Sequence, residues 1–116
     1  MSFSDLVDKK ILNIESSSDE IIFHTDNGSF KMHHEQDCCE TVSIEDIDGD
    51  LTDLIGEVVL AAEESSNSDR HDDDEYGYSF TWTFYKIRTL KTSLTIRWYG
   101  SSNGYYSEIV SFYQIN

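Results

Sequence analysis

Near the C-terminus, strict alternation of apolar and polar residues restricts the backbone to extended conformations. In SFTWTFYKI, starting at residue 79, Phe80, Trp82 and Phe84 fall on one side of an extended chain, and Thr81, Thr83 and Tyr85 on the other. In SLTIRWYG, starting at residue 93, Leu94, Ile96 and Trp98 alternate with Thr95, Arg97 and Tyr99. A period of two is the signature of strands with one face buried. The apolar triplets predict that Trp82 and Trp98 both belong to the core. The connection near Leu90 is short enough for a hairpin, and GSSNG at 100–104 signals a turn into a third strand, with Tyr106, Val110 and Phe112 on one side. These forty residues read as a three-stranded antiparallel meander.

The first half repeats the pattern. KKILNI, EIIFHT and SFKMHH are strand candidates, with a turn at Asp26, Asn27 and Gly28, and TVSIEDI and EVVLAAEE flank GDLTDLIG. About eight strands result. Two short helices are expected: one carries Phe3, Leu6 and Val7 on a face after a serine cap, the other carries Leu51, Leu54 and Ile55 and stops at Gly56. The chain has no proline, so its turns rest on Gly, Asn, Asp and Ser. Residues 64–77, ESSNSDRHDDDEYG, lack periodic apolar positions and read as an acidic, flexible loop. With 116 residues, the chain is expected to form a single domain over 1–116. The expected class is mainly β with an α+β margin: an antiparallel meander sheet curled into a small barrel or two packed sheets, edged by one or two short helices.

The charge is concentrated. Between Glu35 and Glu75 there are sixteen Asp and Glu against the single Arg70, which equals the whole net charge of −15. Residues 1–34 carry six acidic and three basic residues, and residues 76–116 one and four. Such asymmetry bears on partners and solubility more than on fold. It argues against direct nucleic-acid binding, which draws its affinity from Lys and Arg neutralising phosphates. No apolar run approaches the roughly 18 residues of a membrane span, and MSFSDLVDKK lacks the apolar segment of a signal peptide. Cys38 and Cys39 are neighbours and would close no useful loop as a disulfide. A reducing, cytoplasmic setting without membrane contact is expected.

The run HEQDCCETVSIEDIDGDLTDLIG, together with FTWTFYKI and IRWYGSSNGYYSE, resembles a family of small bacteriophage and prophage proteins that share a His-Glu-Gln-Asp-Cys-Cys-Glu signature. Here the signature is His34, Glu35, Gln36, Asp37, Cys38, Cys39 and Glu40. The resemblance covers nearly the whole chain. It implies a phage context, hence a host cytoplasm, and no particular activity. Where that family usually has a glycine after Leu-Val near the N-terminus, this chain has Asp8.

The middle third has the residue types for four chemistries. Zinc could draw on His33 or His34 together with Cys38 and Cys39, with His24, His71 or a carboxylate completing the set. Adjacent cysteines on an extended segment point to opposite sides, however, whereas structural zinc sites space them by two to four residues. Calcium could draw on Asp46, Asp48, Asp50 and Glu57, at positions 1, 3, 5 and 12 of an EF-hand loop. Position 6 is Leu51 instead of glycine, and the competing reading is an acidic turn capping a short helix. A cysteine nucleophile is weakened by its carboxylate neighbours, and no phosphate loop or nucleophile elbow is present, so no catalytic residue and no cofactor is assigned.

The remaining chemistry is binding. Glu45, Asp46, Asp48, Asp50, Asp53 and Glu57 are the expected partner-binding residues, facing a basic groove on a host or anti-phage defence protein that itself binds nucleic acid. A rival site is a nucleotide sponge built from Tyr76, Tyr78, Tyr85, Tyr99, Tyr105, Tyr106 and Tyr113 with Arg88 and Arg97. Against it stands the bland alternative, in which the rings fill the core and the arginines pair with middle-third carboxylates. The oligomeric state is left open, a homodimer included.

Overall fold

The computed structural model describes residues 2–36, 40–70, 79–102 and 108–116, and of residues 68–70 the backbone alone. Eight strands are described: β1 (Ile11–Ser16), β2 (Glu20–Thr25), β3 (Gly28–His33), β4 (Thr41–Asp48), β5 (Ala61–Arg70), β6 (Ser79–Arg88), β7 (Ser93–Ser102) and β8 (Ser111–Gln114). They form two antiparallel sheets, ordered β1-β2-β3-β8 and β4-β7-β6-β5. The sheets pack on one another around a shared core and do not close into a barrel. No helix among the described residues is long and apolar enough to cross a membrane.

Alternation decides what enters that core. The first sheet contributes Ile21, Phe23, Phe30, Met32 and Phe112; the second contributes Ile87, Leu94, Ile96 and Trp98. Trp98 is fully buried and reaches across the gap, its Nε1 donating to Met32 Sδ at 3.0 Å. Phe3 is the plug at one side, with ring centroids 4.9 Å from Tyr85, 5.5 Å from Phe112 and 6.3 Å from Phe23, all edge-on. Edge-to-face pairs of this kind contribute about 0.5–1.5 kcal/mol beyond the area they bury.

Both expected helices are single 3-10 turns, Phe3–Leu6 and Leu51–Leu54. Segments of this length cannot recover the nucleation cost of an α-helix, so their shape follows the anchoring of Phe3, Leu6 and Leu54 in the core. After the first turn, Asp8 takes a left-handed φ of 71°. This conformation suits glycine, the residue expected there from the family resemblance, and Asp tolerates it better than most. The turn at Asp26 and Asn27 forms as expected: Thr25 pairs with Gly28, whose φ is +105°.

Three expectations change. The C-terminal strands are not one meander, because β8 leaves the second sheet and pairs with β3, Met32 facing Phe112. EVVLAAEE is divided: Glu57 and Val59 hydrogen-bond to the start of β1 and its approach, with Ile11 N to Glu57 O 2.9 Å and Val59 N to Lys9 O 2.9 Å, and β5 begins at Ala61. The loop expected over 64–77 is strand up to Arg70, paired with β6 from Ala61↔Arg88 to Arg70↔Ser79. Backbone pairing at a sheet edge needs no apolar side chain, and a polar edge guards against unwanted pairing. The rest of that stretch, 71–77, lies outside the described residues.

Candidate binding surface

β4 is an edge strand, and its pairing with β7 shifts between Ile44 and Asp46, where Ile44 faces Trp98 and Asp46 faces Arg97. The extra residue is Glu45. Such a bulge re-aims side chains, and here Glu45, Asp46 and Asp48 are all exposed. Glu45 Oε1 accepts from Arg97 Nη2 at 3.1 Å, with both side chains about two-fifths exposed. This is a surface pair worth about 0–1 kcal/mol. It realises the expected pairing of an arginine with a middle-third carboxylate.

The other expected partner-binding residues have local duties. Asp50 caps the second 3-10 turn, accepting from Thr52 N at 3.0 Å and Thr52 Oγ1 at 2.8 Å. The Thr52 hydroxyl, then its N–H, holds the Asp50 carboxyl below the usual range. Asp53 lies in that turn and Glu57 on the strand-like return, both half-buried. Asp46 and Asp48 belong to a strand and Asp50 to a cap, so the four carboxylates of the candidate calcium loop sit in three different local structures. The structure therefore brings Glu45, Asp46 and Asp48 together along one edge and gives Asp50 a structural role.

Beside that edge lies the outer face of the second sheet. On β6 the buried series is Thr83, Tyr85 and Ile87, so Phe80, Trp82 and Phe84 point away from the core and are half-buried. This corrects the expectation for Trp82. The register explains it: Thr83 faces Trp98, Tyr85 faces Ile96 and Ile87 faces Leu94, and these three β7 residues are committed inward. Outward, Trp82 faces Tyr99 and Phe84 faces Arg97. Tyr99 joins the rings, its centroid 5.0 Å from Trp82 and 6.0 Å from Phe80. Burial, then the Glu45 charge, raises the Tyr99 phenol above its ordinary value, so it remains a hydrogen-bond donor at neutral pH.

Between the rings and the acidic edge is a hollow of about 200 Å³ lined by Asp46, Asp48, Phe84, Thr95 and Arg97. Arg97 Nε is screened from solvent there and has no hydrogen-bond partner among the described residues. Of the rival tyrosine set, Tyr85 is core and Tyr113 is exposed on β8; Tyr76, Tyr78, Tyr105 and Tyr106 lie outside the described residues.

The His/Cys run takes a different shape. His34 turns inward, its Nδ1 donating to Ile109 O at 2.7 Å and its Nε2 3.1 Å from Glu40 Oε1, with both side chains buried. A backbone carbonyl can only accept, so Nδ1 carries a proton, and one further proton lies between Nε2 and Glu40 whichever group holds it. With both nitrogens engaged, His34 would have to give up a partner to bind zinc. Cys38 and Cys39 lie outside the described residues, as does His71. Among the described residues, no three His, Cys, Asp or Glu side chains gather as a metal site. His24 bonds to Glu15 and Ser29.

Sequence reasoning missed a second buried carboxylate, Glu108. Its oxygens accept from the hydroxyls of Thr81 at 2.7 Å, Ser79 at 3.5 Å and Ser102, linking β6 and β7 to the approach of β8. Gly100 makes room for it, because a Cβ there would lie 3.1 Å from both Glu108 Cβ and Val42 Cγ2. One signal was available: Glu108 is the lone carboxylate in residues 76–116.

Neither the curated proteins nor the solved structures hold a match to the chain. A family model described as a domain of unknown function, DUF7448, matches residues 4–112, from the first 3-10 turn into β8 and so through both sheets. The chain belongs to that family.

Proposed function

We propose that this is a non-enzymatic binding protein that presents the outer face of its second sheet to a basic surface on another protein. The reading rests on one juxtaposition: Phe80, Trp82, Phe84 and Tyr99 form cross-strand rows, and Glu45, Asp46 and Asp48 border them on β4. Protein interfaces combine aromatic anchors at the centre with a polar rim, and Trp, Tyr and Arg dominate their binding energy. A negative rim within a net charge of −15 selects a positive partner and speeds encounter. In the phage setting implied by the resemblance, the partner is a host or defence protein whose nucleic-acid-binding groove this edge occupies as a charge mimic. The nucleotide-sponge reading is weaker, since Asp46 and Asp48 line the hollow beside Arg97, and Arg97 already pairs with Glu45. Phosphate would meet carboxylates there.

The test is capture of a basic protein from host lysate, followed by measured association and dissociation rates with that protein purified. Neutralising Glu45, Asp46 and Asp48 to Gln and Asn should cut the association rate by about tenfold at low salt, and the difference should shrink as the Debye length falls from roughly 10 Å at 0.1 M to 3 Å at 1 M. Trp82→Ala should instead speed dissociation by about tenfold or more. Unchanged rate constants in both variants would refute the reading.

A further inference from the structure

The turn between β6 and β7 is locked. Thr89 N donates to Thr92 O at 2.8 Å, and Thr89 Oγ1 accepts from Lys91 N at 3.2 Å and Thr92 N at 3.1 Å. This rigid turn holds Leu90 out at 91% exposure, the most exposed large apolar side chain among the described residues. With the backbone of the turn already fixed, a solvated leucine gives up only its side-chain rotamer freedom when covered and gains the benefit of burial. Beside it, Leu60 N bonds to Arg88 O at 2.8 Å and Val58 bridges Lys10, leaving Val58 and Leu60 45% and 42% exposed. Lys10, Gly56, Glu57, Val58, Leu60 and Leu90 wall a hollow of about 210 Å³. A protruding leucine and an apolar recess thus lie side by side.

Charge says what can cover them. In a molecule of net charge −15, four of the eight basic residues, Lys10, Lys86, Arg88 and Lys91, stand at this end. Glu57 and Glu63 lie among them: Glu57 lines the same hollow, and Glu63 faces Lys86 across the sheet. Two copies meeting through the β4 edge would oppose carboxylate to carboxylate. Meeting here, each copy can set its cations against the other's Glu57 and Glu63. A two-fold axis needs a patch complementary to itself, which a knob beside a recess and cations beside carboxylates provide.

We propose that this end is an isologous interface with a second copy of the chain, each Leu90 seated in the other's recess. The contact is small, so the dimer is weak and forms at the upper end of laboratory concentrations. Lys86 and Arg88 share the outer face of β6 with Phe80, Trp82 and Phe84 but stand at its far end, so Phe80 and Trp82 stay open in each copy. The dimer itself does not depend on that face being functional.

Sedimentation equilibrium of the full chain, from micromolar to about 1 mM in about 0.3 M salt to screen the net charge, reads the mass directly. The expected result is a rise from 13.4 kDa toward twice that value. Leu90→Asp should hold the mass at that of the single chain throughout. Its melting temperature should not move, because the parent side chain touches solvent on nearly all sides. A parent that stays monomeric at all concentrations overturns the proposal, and so does a dimer that Leu90→Asp leaves intact. A monomeric parent that co-sediments with anionic phosphatidylglycerol vesicles through Leu90 would overturn it in favour of a lipid surface.

Discussion

The two faces of β6 and β7 are both aromatic and do opposite things. Inward, Thr83, Tyr85 and Ile87 meet Trp98, Ile96 and Leu94 and join the first sheet through Met32 and Phe3. Outward, Phe80, Trp82 and Phe84 meet Ser101, Tyr99 and Arg97 and join nothing from the first sheet among the described core contacts. By residue type the outer triplet of β6 is the more apolar of the two, yet it is not core. Alternation fixes which residues share a face; the neighbouring strand and its register decide which face is buried. Apolar surface that a sheet does not bury in its own core is available to a partner.

Truncating the two tryptophans tests this difference most severely. Trp98→Ala should destabilise by about 3–5 kcal/mol, as a large buried ring leaves a cavity between the sheets. Trp82→Ala should cost about 1 kcal/mol or less, the worth of a cross-strand aromatic pair. Urea midpoints at constant m-value report both. Equal losses would mean that the outer rings are core after all.

The polar interior should behave as interior too. His34→Ala leaves Glu40 without its imidazole and should cost about 3 kcal/mol or more. Glu40→Gln supplies an amide N–H that the neutral imidazole can accept at Nε2 and should stay within about 1 kcal/mol of the parent. A mild effect of His34→Ala, matching that of Glu40→Gln, would show that the pair carries no structural weight.

Titration separates the faces at the alkaline end. Burial, then the Glu64 charge and the hydrogen bond to Glu64 Oε1 at 3.4 Å, raises the Tyr85 phenol far above its ordinary value. The folded state therefore favours the neutral phenol. Its contribution is intact below the unfolded tyrosine pKa of about 10 and is lost progressively as pH rises above it. Tyr85→Phe should flatten the fall in stability between about pH 10 and 12, whereas Tyr99→Phe should change it less.

The smallest effect concerns Asp8. With φ at 71°, Asp8→Gly relieves left-handed strain and should shift stability by less than about 1 kcal/mol, in the stabilising direction. A loss of more than that, seen as a lowered urea midpoint, would mean that the Asp8 side chain is needed where it stands.

Much of this architecture was legible. The alternation in β6 and β7, the Asp26–Asn27 turn and the strand entry at Thr41 follow from local chemistry that any neighbour must accept. What local chemistry leaves undetermined is where a strand goes. Sequential strands usually lie side by side, so β8 reads as the third strand of a meander, but Phe112 finds its apolar partners on the first sheet, facing Met32 and stacked on Phe30. Glu64–Arg70 reads as loop because hydropathy does not register an edge strand held by its backbone alone. His34 reads as a candidate zinc ligand because ligand types can be seen in a sequence, whereas the carbonyl of Ile109, 75 positions away, cannot.

The most direct test of the two-face account is acrylamide quenching of tryptophan fluorescence in Trp82→Phe and Trp98→Phe, each of which leaves one emitter. Acrylamide is neutral, so the net charge of −15 does not bias its approach. The account predicts that Trp82, alone in Trp98→Phe, emits to the red and is readily quenched. Trp98, alone in Trp82→Phe, should emit to the blue and resist quenching until the protein unfolds. Equal protection of both tryptophans in the native state would contradict it.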